Sequence, residues 1–418
     1  MKLNDFITEA EYQVLAEPGW PGFWELVHGK GSSDPAVQQH INTAVAGRYK
    51  EYQQLNKGNQ IADGNRRMQG QVFFNKKVPS TIPHCRAPWE TLGINSYGDV
   101  FICQSPAWLP KFAGNINAVD SIYDILNSQT AKDIRQEILA GRYLYCNNNL
   151  CRFFSINPVA VAAADDTAPL ESVDSADIML SQVPSNLIFD FDHTCNFKCP
   201  SCRPALINNN KHLYIRKINN DIVEKIKRLV IDEIEDQPVE IRWAGGELFI
   251  SQVYVELIDY IINQKKSNIR HIIQTNGSYL KSKSELVERL LPYVSELRIS
   301  FDAATADTYH RVRVNGQWDT LLENTRWIVN LVKEQQLPLL ITADFVVQRD
   351  NYKEIVLFKQ LCAELGIQQI NFQKMWNWYT WPEDEFVKLN VYNPAHPEYK
   401  QVINLLQQTH GPGPKVYF

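Results

Sequence analysis

Between residues 185 and 380 the sequence predicts an α/β fold whose parallel strands close, wholly or partly, into a barrel. Three observations predict it. Six short β-rich runs alternate with at least five runs of helical periodicity, the pattern of βαβ units. The unusual residues of this region stand where strands end, which is where barrels and open α/β sheets bind ligands. A stretch rich in Ala, Asp and Ser over 160–176 precedes the region and reads as a linker.

Residues 187–192 form the first expected strand and deliver the chain into a loop holding Cys195, Cys199 and Cys202, with helical periodicity following over 213–234. The second strand, 239–244, ends in Gly245-Gly246-Glu247 and precedes a helix over 253–264. The third, 269–274, ends in Thr275-Asn276-Gly277, with a helix from about 282 to 294. Next come a strand over 296–301 ending at Asp302, a helix over 318–334, a strand over 339–347, a helix over 352–365 and a sixth strand over 369–372.

A chain of 418 residues buries a substantial core and suits two or three domains, or one barrel with an appendage. Its 42 Lys+Arg against 47 Asp+Glu, for a net charge of -5, provide no basic field for nucleic acid or anionic lipid. No apolar run reaches the length of a membrane span, and the opening residues, 1–12, are too polar for a signal peptide. A cytoplasmic location is expected. In that compartment eight cysteines read as metal or redox groups, because thiols there stay reduced.

Cys195, Cys199 and Cys202 have Cys-x3-Cys-x2-Cys spacing. Three thiolates on one loop leave a 4Fe-4S cluster with an iron open to substrate or cofactor. Zinc is the alternative, since clustered cysteines also bind zinc. A structural zinc site needs a fourth ligand, and His193, the local candidate, stands awkwardly close to Cys195 for one tetrahedron.

The cysteine loop followed by Gly-Gly-Glu, Thr-Asn-Gly and Ser-Phe-Asp-Ala-Ala-Thr at successive strand ends resembles the radical S-adenosylmethionine superfamily over roughly residues 185–380. The resemblance implies a partial (β/α)6 TIM-like barrel and a 4Fe-4S cluster with S-adenosylmethionine on its open iron. Reductive cleavage there releases a 5'-deoxyadenosyl radical that takes hydrogen from substrate. Gly245 and Gly246 let backbone approach the cofactor, their carbonyls facing its amino group, and Glu247 is a carboxylate for the same ammonium. Ser300 and Asp302 match ribose-contacting positions, and Asn276 offers a further polar contact or shapes its turn. Arg313 aligns with an arginine that pairs with the cofactor carboxylate, a solvated charge being the plainer reading. One departure is Ser201 before the third cysteine, where the family often has an aromatic residue; Phe197 offers apolar surface instead.

Upstream, Cys85 and Cys103 frame a Cys-x12-Gly-x4-Cys pattern through Gly98, and Cys146 and Cys151 follow. The pattern resembles the first half of the SPASM domain and its shorter relative, the twitch domain, which carry auxiliary 4Fe-4S clusters. Four thiolates close one cluster completely or make a structural zinc set. The family generally places this domain after the barrel, whereas here it stands before it. A closed cluster is expected to relay an electron or to staple a small hairpin module.

Other residues have plainer readings. Cys362 stands with Phe358, Leu361 and Leu365 on a helical core stripe. Trp376, Trp378, Tyr379 and Trp381 line a substrate cavity or cover the barrel mouth, and His396 reads as a turn histidine. The expected organisation is a helical segment of unknown role over 1–75, an α+β twitch/SPASM-like auxiliary domain over 76–158, a linker over 159–184, the core barrel over 185–380 and an extension over 381–418. The resemblance implies a radical oxidoreductase reduced by a flavodoxin or ferredoxin and acting on a ribosomal peptide or protein. A small-molecule radical dehydrogenase and a non-catalytic electron-transfer protein are the alternatives.

Overall fold

The structure, a computed structural model, describes residue 73 and residues 84–156, 178–203, 205–211, 213–377 and 381–418. The expected linker over 160–176, nearly all of segment 1–75, Trp378 and Tyr379 lie outside the described residues. Two compact units divide the chain. One takes in the described residues up to Asp192 with Lys211–Glu240, and the other His193–Asn210 with Ile241–Phe418.

In the first unit, β1 (Thr91–Asn95), β2 (Asp99–Phe101) and β3 (Gly114–Asn115) form an antiparallel meander, and β1 also pairs in parallel with β4 (Asn186–Asp190). The β1–β2 turn is built by its own side chains: Asn95 Oδ1 accepts from Tyr97 N at 2.9 Å and Asp99 N at 3.0 Å. Gly98 completes it at φ 73°, and a Cβ there would press on the Asn117 side chain at 2.6 Å. The glycine of the Cys-x12-Gly-x4-Cys pattern is therefore a turn residue, and it returns the chain from Cys85 toward Cys103. The helix Gln129–Leu139 starts at Ser128, whose hydroxyl accepts from Ala131 N. It carries Arg135, a buried guanidinium that gathers the carbonyls of Pro88, Leu126 and Ile178 at 3.0, 2.7 and 2.8 Å. Leu213–Ile226 is helical and passes into a π-helical turn, Lys227–Ile231, so the helical run expected over 213–234 closes on a widened turn.

In the second unit, β5 (Val239–Trp243), β6 (Ile269–Thr275), β7 (Val294–Ser300), β8 (Leu340–Val347), β9 (Gln369–Lys374) and β10 (Lys415–Tyr417) lie in that order, and β6 to β10 pair in parallel. Helices Gln252–Asn263, Ser284–Leu290, Ala306–Val312, Trp318–Glu334 and Ile355–Leu365 intervene. This is the expected α/β class. The helix expected over 282–294 stops earlier, because Pro292 cannot continue it; a tight turn, Leu291–Tyr293, leads directly into β7. Strand β10 has no counterpart in the sequence reading, since three residues beyond a Gly-Pro-Gly-Pro run are too few to show a period.

Packing decides which strand residues face the chemistry. Phe345 and Phe372 contact each other and Phe358 of the helix Ile355–Leu365, with centroids 4.8 to 6.0 Å apart, and Phe301 joins Phe358 at 5.6 Å. Adjacent strand side chains point to opposite faces. Asp344 and Asn371 therefore project away from this aromatic layer, and the register aligns them with Ser300. Cys362 is fully buried with Phe358 and Leu365 on the same helix.

Candidate metal centres and cofactor site

The cysteine loop is held at both ends by its own backbone. Cys195 N donates to Ile207 O at 2.8 Å, and Cys202 N and Arg203 N both donate to Cys199 O, at 2.9 and 2.8 Å. Cys199 is buried and Cys202 exposed. Each sulfur has an N–H donor: Phe197 N on Cys195 at 3.5 Å, Arg313 Nη1 on Cys199 at 3.6 Å and Arg203 Nε on Cys202 at 3.4 Å. Burial pushes the Cys195 thiol up and that of Cys199 to about 12, so a bound cation is what would make them thiolates. Donor set and N–H surroundings fit a cluster ligated by three cysteines. His193 is buried, and desolvation, aided by Arg203, lowers it to about 3, leaving the imidazole neutral.

The Gly-Gly-Glu run locks this loop against the ends of β5 and β6. A Cβ on Gly246 would overlap the carbonyl oxygen of Thr194 and come within 2.8 Å of the carbonyl carbons of His193 and Thr194. Glu247 N donates to that same Thr194 oxygen at 2.7 Å. Gly245 stands at φ 93°. Glu247 is buried, and its carboxylate accepts from Thr275 Oγ1 and Asn276 N at 2.7 Å each and from Phe249 N at 3.4 Å. Burial raises its pKa against those donors. Asn276 Nδ2 donates to Asn196 Oδ1 at 2.9 Å, and Asn196 Nδ2 to Ser278 Oγ at 3.1 Å, which ties the cysteine loop to the turn after β6. Both glycines, Glu247 and Asn276 thus already have structural work in shaping the loop.

Ser300 ends β7, buried, and Asp302 follows at φ 58°. A left-handed aspartate costs on the order of 1 kcal/mol. It is held by Val346 N on Oδ1 at 2.7 Å and by Asn351 Nδ2 on its carbonyl at 2.8 Å. Arg313 Nη2 lies 2.9 Å from Asp302 Oδ2. Burial works against the Arg313 charge, but the attraction of Asp302 and Cys199 outweighs it and the guanidinium stays charged. Arg313 is therefore a largely enclosed ion-pair partner, not a solvated charge.

Asp344 deepens this wall. It is buried, Asn371 Nδ2 donates to its Oδ1 at 3.1 Å, and its Oδ2 has no hydrogen bond. Desolvation raises its pKa to about 6 despite the opposing Arg298, Asn371 and Gln373. A carboxyl raised in the native state favours the protonated fold. Its stabilisation is complete below the ordinary carboxylate value and is lost as pH rises through about 6. The Asp344→Asn variant is accordingly expected to be more stable at pH 8 by on the order of 2 kcal/mol, with the gain shrinking toward pH 4. Urea unfolding of the two proteins at both pH values measures it; an equal gain at both would show that ionisation is not the cause.

A second cysteine group lies in the first unit. Cys85, Cys103, Cys146 and Cys151 line one pocket together with Trp108 and Tyr143. Tyr143, at φ 50°, accepts from Cys85 N on its hydroxyl at 3.1 Å and from Cys146 N on its carbonyl at 3.0 Å, and its ring stacks on Phe153 at 5.1 Å. Burial raises all four thiols, Cys103 to about 12. Four thiols around one pocket fit a fully ligated cluster. Among the described residues no three His, Cys, Asp or Glu side chains are gathered closely enough to hold a single metal ion.

Arg203 and Tyr143 escaped the sequence reading. Arg203 directly follows the third cysteine, and that adjacency was the available signal. Tyr143 carried none. Of the aromatic group, Trp381 Nε1 donates to Pro200 O inside the cysteine loop at 2.8 Å, whereas Trp376 is exposed. His396 sits in a turn, its N–H on Asn393 O at 2.8 Å.

Comparison with known proteins bears on both centres. Residues 191–356 match the radical SAM superfamily model, and residues 85–152 match the SPASM iron-sulfur cluster-binding domain model. A probable GTP 3',8-cyclase of Saccharolobus islandicus is 22% identical over 182 residues, 43% of this chain and 53% of that protein, and one of Saccharolobus solfataricus is 21% identical over 179 residues. The chain spans about half the length of these curated relatives. Among solved structures, SuiB of Streptococcus suis bound to S-adenosylmethionine overlaps 56% of this chain and 50% of its own at 15% identity and a TM-score of 0.38. Archaeal TYW1 overlaps 46% of this chain and 61% of its own at 17% identity and a TM-score of 0.28.

Proposed function

For a radical S-adenosylmethionine enzyme whose core follows a SPASM iron-sulfur domain, we propose hydrogen abstraction from an unactivated C–H bond of a ribosomal peptide or protein side chain. The observation that carries this reading is the division of seven cysteines into an open set of three and a closed set of four. When bound, the open cluster with S-adenosylmethionine supplies a 5'-deoxyadenosyl radical by reductive cleavage.

The residues around it have distinct tasks in this reading. Cys195, Cys199 and Cys202 hold the open cluster. Gly245 and Gly246 present strand-end backbone to the cofactor amino group, with Glu247 fixing their turn through Thr275 and Asn276. Ser300 and Asp302 would hold its ribose, and Arg313, paired with Asp302, would hold its carboxylate. Cys85, Cys103, Cys146 and Cys151 would hold the auxiliary cluster, which would supply a place for the substrate electron. A flavodoxin- or ferredoxin-type reductant in the cytoplasm supplies the first electron. Among the described residues no helix is long and apolar enough to cross a membrane.

The peptide assignment rests on the SPASM domain; the curated relatives carry the name of a GTP cyclase, so GTP is the competing substrate. Reconstituted protein is expected to bind about eight irons and, with reductant, to form 5'-deoxyadenosine. A short peptide encoded beside the gene should accelerate that formation and change in mass. Acceleration by GTP and not by the peptide would replace the substrate class, and a protein that loads zinc in place of iron would end the proposal.

A further inference from the structure

We propose that Arg203 is the positioning residue that sets the reduction potential of the open cluster and anchors its loop to the Gly245 strand end. The proposal rests on the reading of the three-cysteine site as a cluster site. Arg203 is buried, and its hydrogen bonds run to Cys202 Sγ at 3.4 Å, His193 O at 2.6 Å and Gly245 O at 2.5 Å. None of these partners is a carboxylate. Burying a guanidinium without a counter-charge is costly, so the fold tolerates it best where an anion arrives. A cluster held by three thiolates is that anion, and reduction adds one more negative charge beside the guanidinium.

Arg313 differs in this respect. It also touches a cysteine, but Asp302 at 2.9 Å already balances its charge. Among the described residues that touch these sulfurs, Arg203 is the cation whose hydrogen bonds run to no carboxylate. Hydrogen bonds to cluster sulfurs and nearby charge are among the factors that set a cluster's potential, and a charge-assisted N–H···S bond stabilises the reduced form more than the oxidised one. The same side chain spans from the third cysteine to the Gly-Gly-Glu turn, so potential and loop position depend on one residue.

The test uses full-length Arg203→Met and Arg203→Lys proteins, reconstituted anaerobically, in potentiometric titrations followed by electron paramagnetic resonance. The open cluster is recognised as the signal that S-adenosylmethionine perturbs. The Met variant is expected to load as much iron as the parent while its open-cluster midpoint moves to more negative potential; the Lys variant should move less, and the auxiliary signal should stay in place. Loaded variants with an unchanged midpoint would overturn the proposal. Failure of both variants to load the open site would overturn the assignment of the potential to Arg203, because only its anchoring of the loop would then stand. A parent protein with no signal sensitive to S-adenosylmethionine would instead overturn the reading of the site itself.

Discussion

Reconstituted Cys199→Ala protein is expected to hold about four irons where the parent holds about eight, and to release no 5'-deoxyadenosine under conditions in which the parent does. Cys199 is the most enclosed thiol of its loop: it is buried, its carbonyl takes the N–H groups of Cys202 and Arg203, and its sulfur lies beside Arg313. Removing the sulfur leaves two thiolates and the Arg313 guanidinium, which do not define a cluster site. The remaining irons should belong to Cys85, Cys103, Cys146 and Cys151, since those four line a pocket of their own. Cys362→Ala is the matched control. Its thiol is buried in a helix core, so iron content and cleavage should match the parent. Undiminished 5'-deoxyadenosine from Cys199→Ala would remove the loop from the chemistry.

The Gly246→Ala variant is expected to lose the same cluster for a different reason. The added methyl meets backbone atoms of His193 and Thr194, which cannot swing aside as a side chain would. The loop must lift away, breaking the 2.7 Å bond from Glu247 N to Thr194 O and drawing Glu247 from Thr275 and Asn276. Overpacking of this kind costs about 3 kcal/mol. Thermal unfolding should report a large destabilisation, and iron analysis should again find about four atoms, with the four-cysteine centre intact. A variant with parental iron content and stability would show that the loop does not need this close approach.

The Gly246 result separates two reasons for one motif. Read as sequence, Gly-Gly-Glu is a cofactor-facing turn whose glycines serve the ligand. In the structure the absence of a Cβ at Gly246 is already demanded by the cysteine loop, and the Glu247 carboxylate is occupied by β6. The motif was legible because its spacing after a β-rich run is local. Its internal partners were not, because Thr194, Thr275 and Asn276 approach Glu247 only after the strands assemble.

The helix Trp318–Glu334 and strands β5 to β9 followed from apolar periodicity within short windows. The parallel pairing of β1 with β4 did not, since no local pattern names a partner far away in the chain. By itself the sequence determined the chemistry available: two sets of cysteines, a glycine turn at each, and polar residues at strand ends. Tertiary structure alone decided how those groups are used. It gathered four thiols from separate segments around one pocket, gave Arg313 a carboxylate, and left Arg203 with sulfur and carbonyl oxygen. Spacing is a property of the chain, whereas burial and charge balance exist only once distant segments have excluded water together.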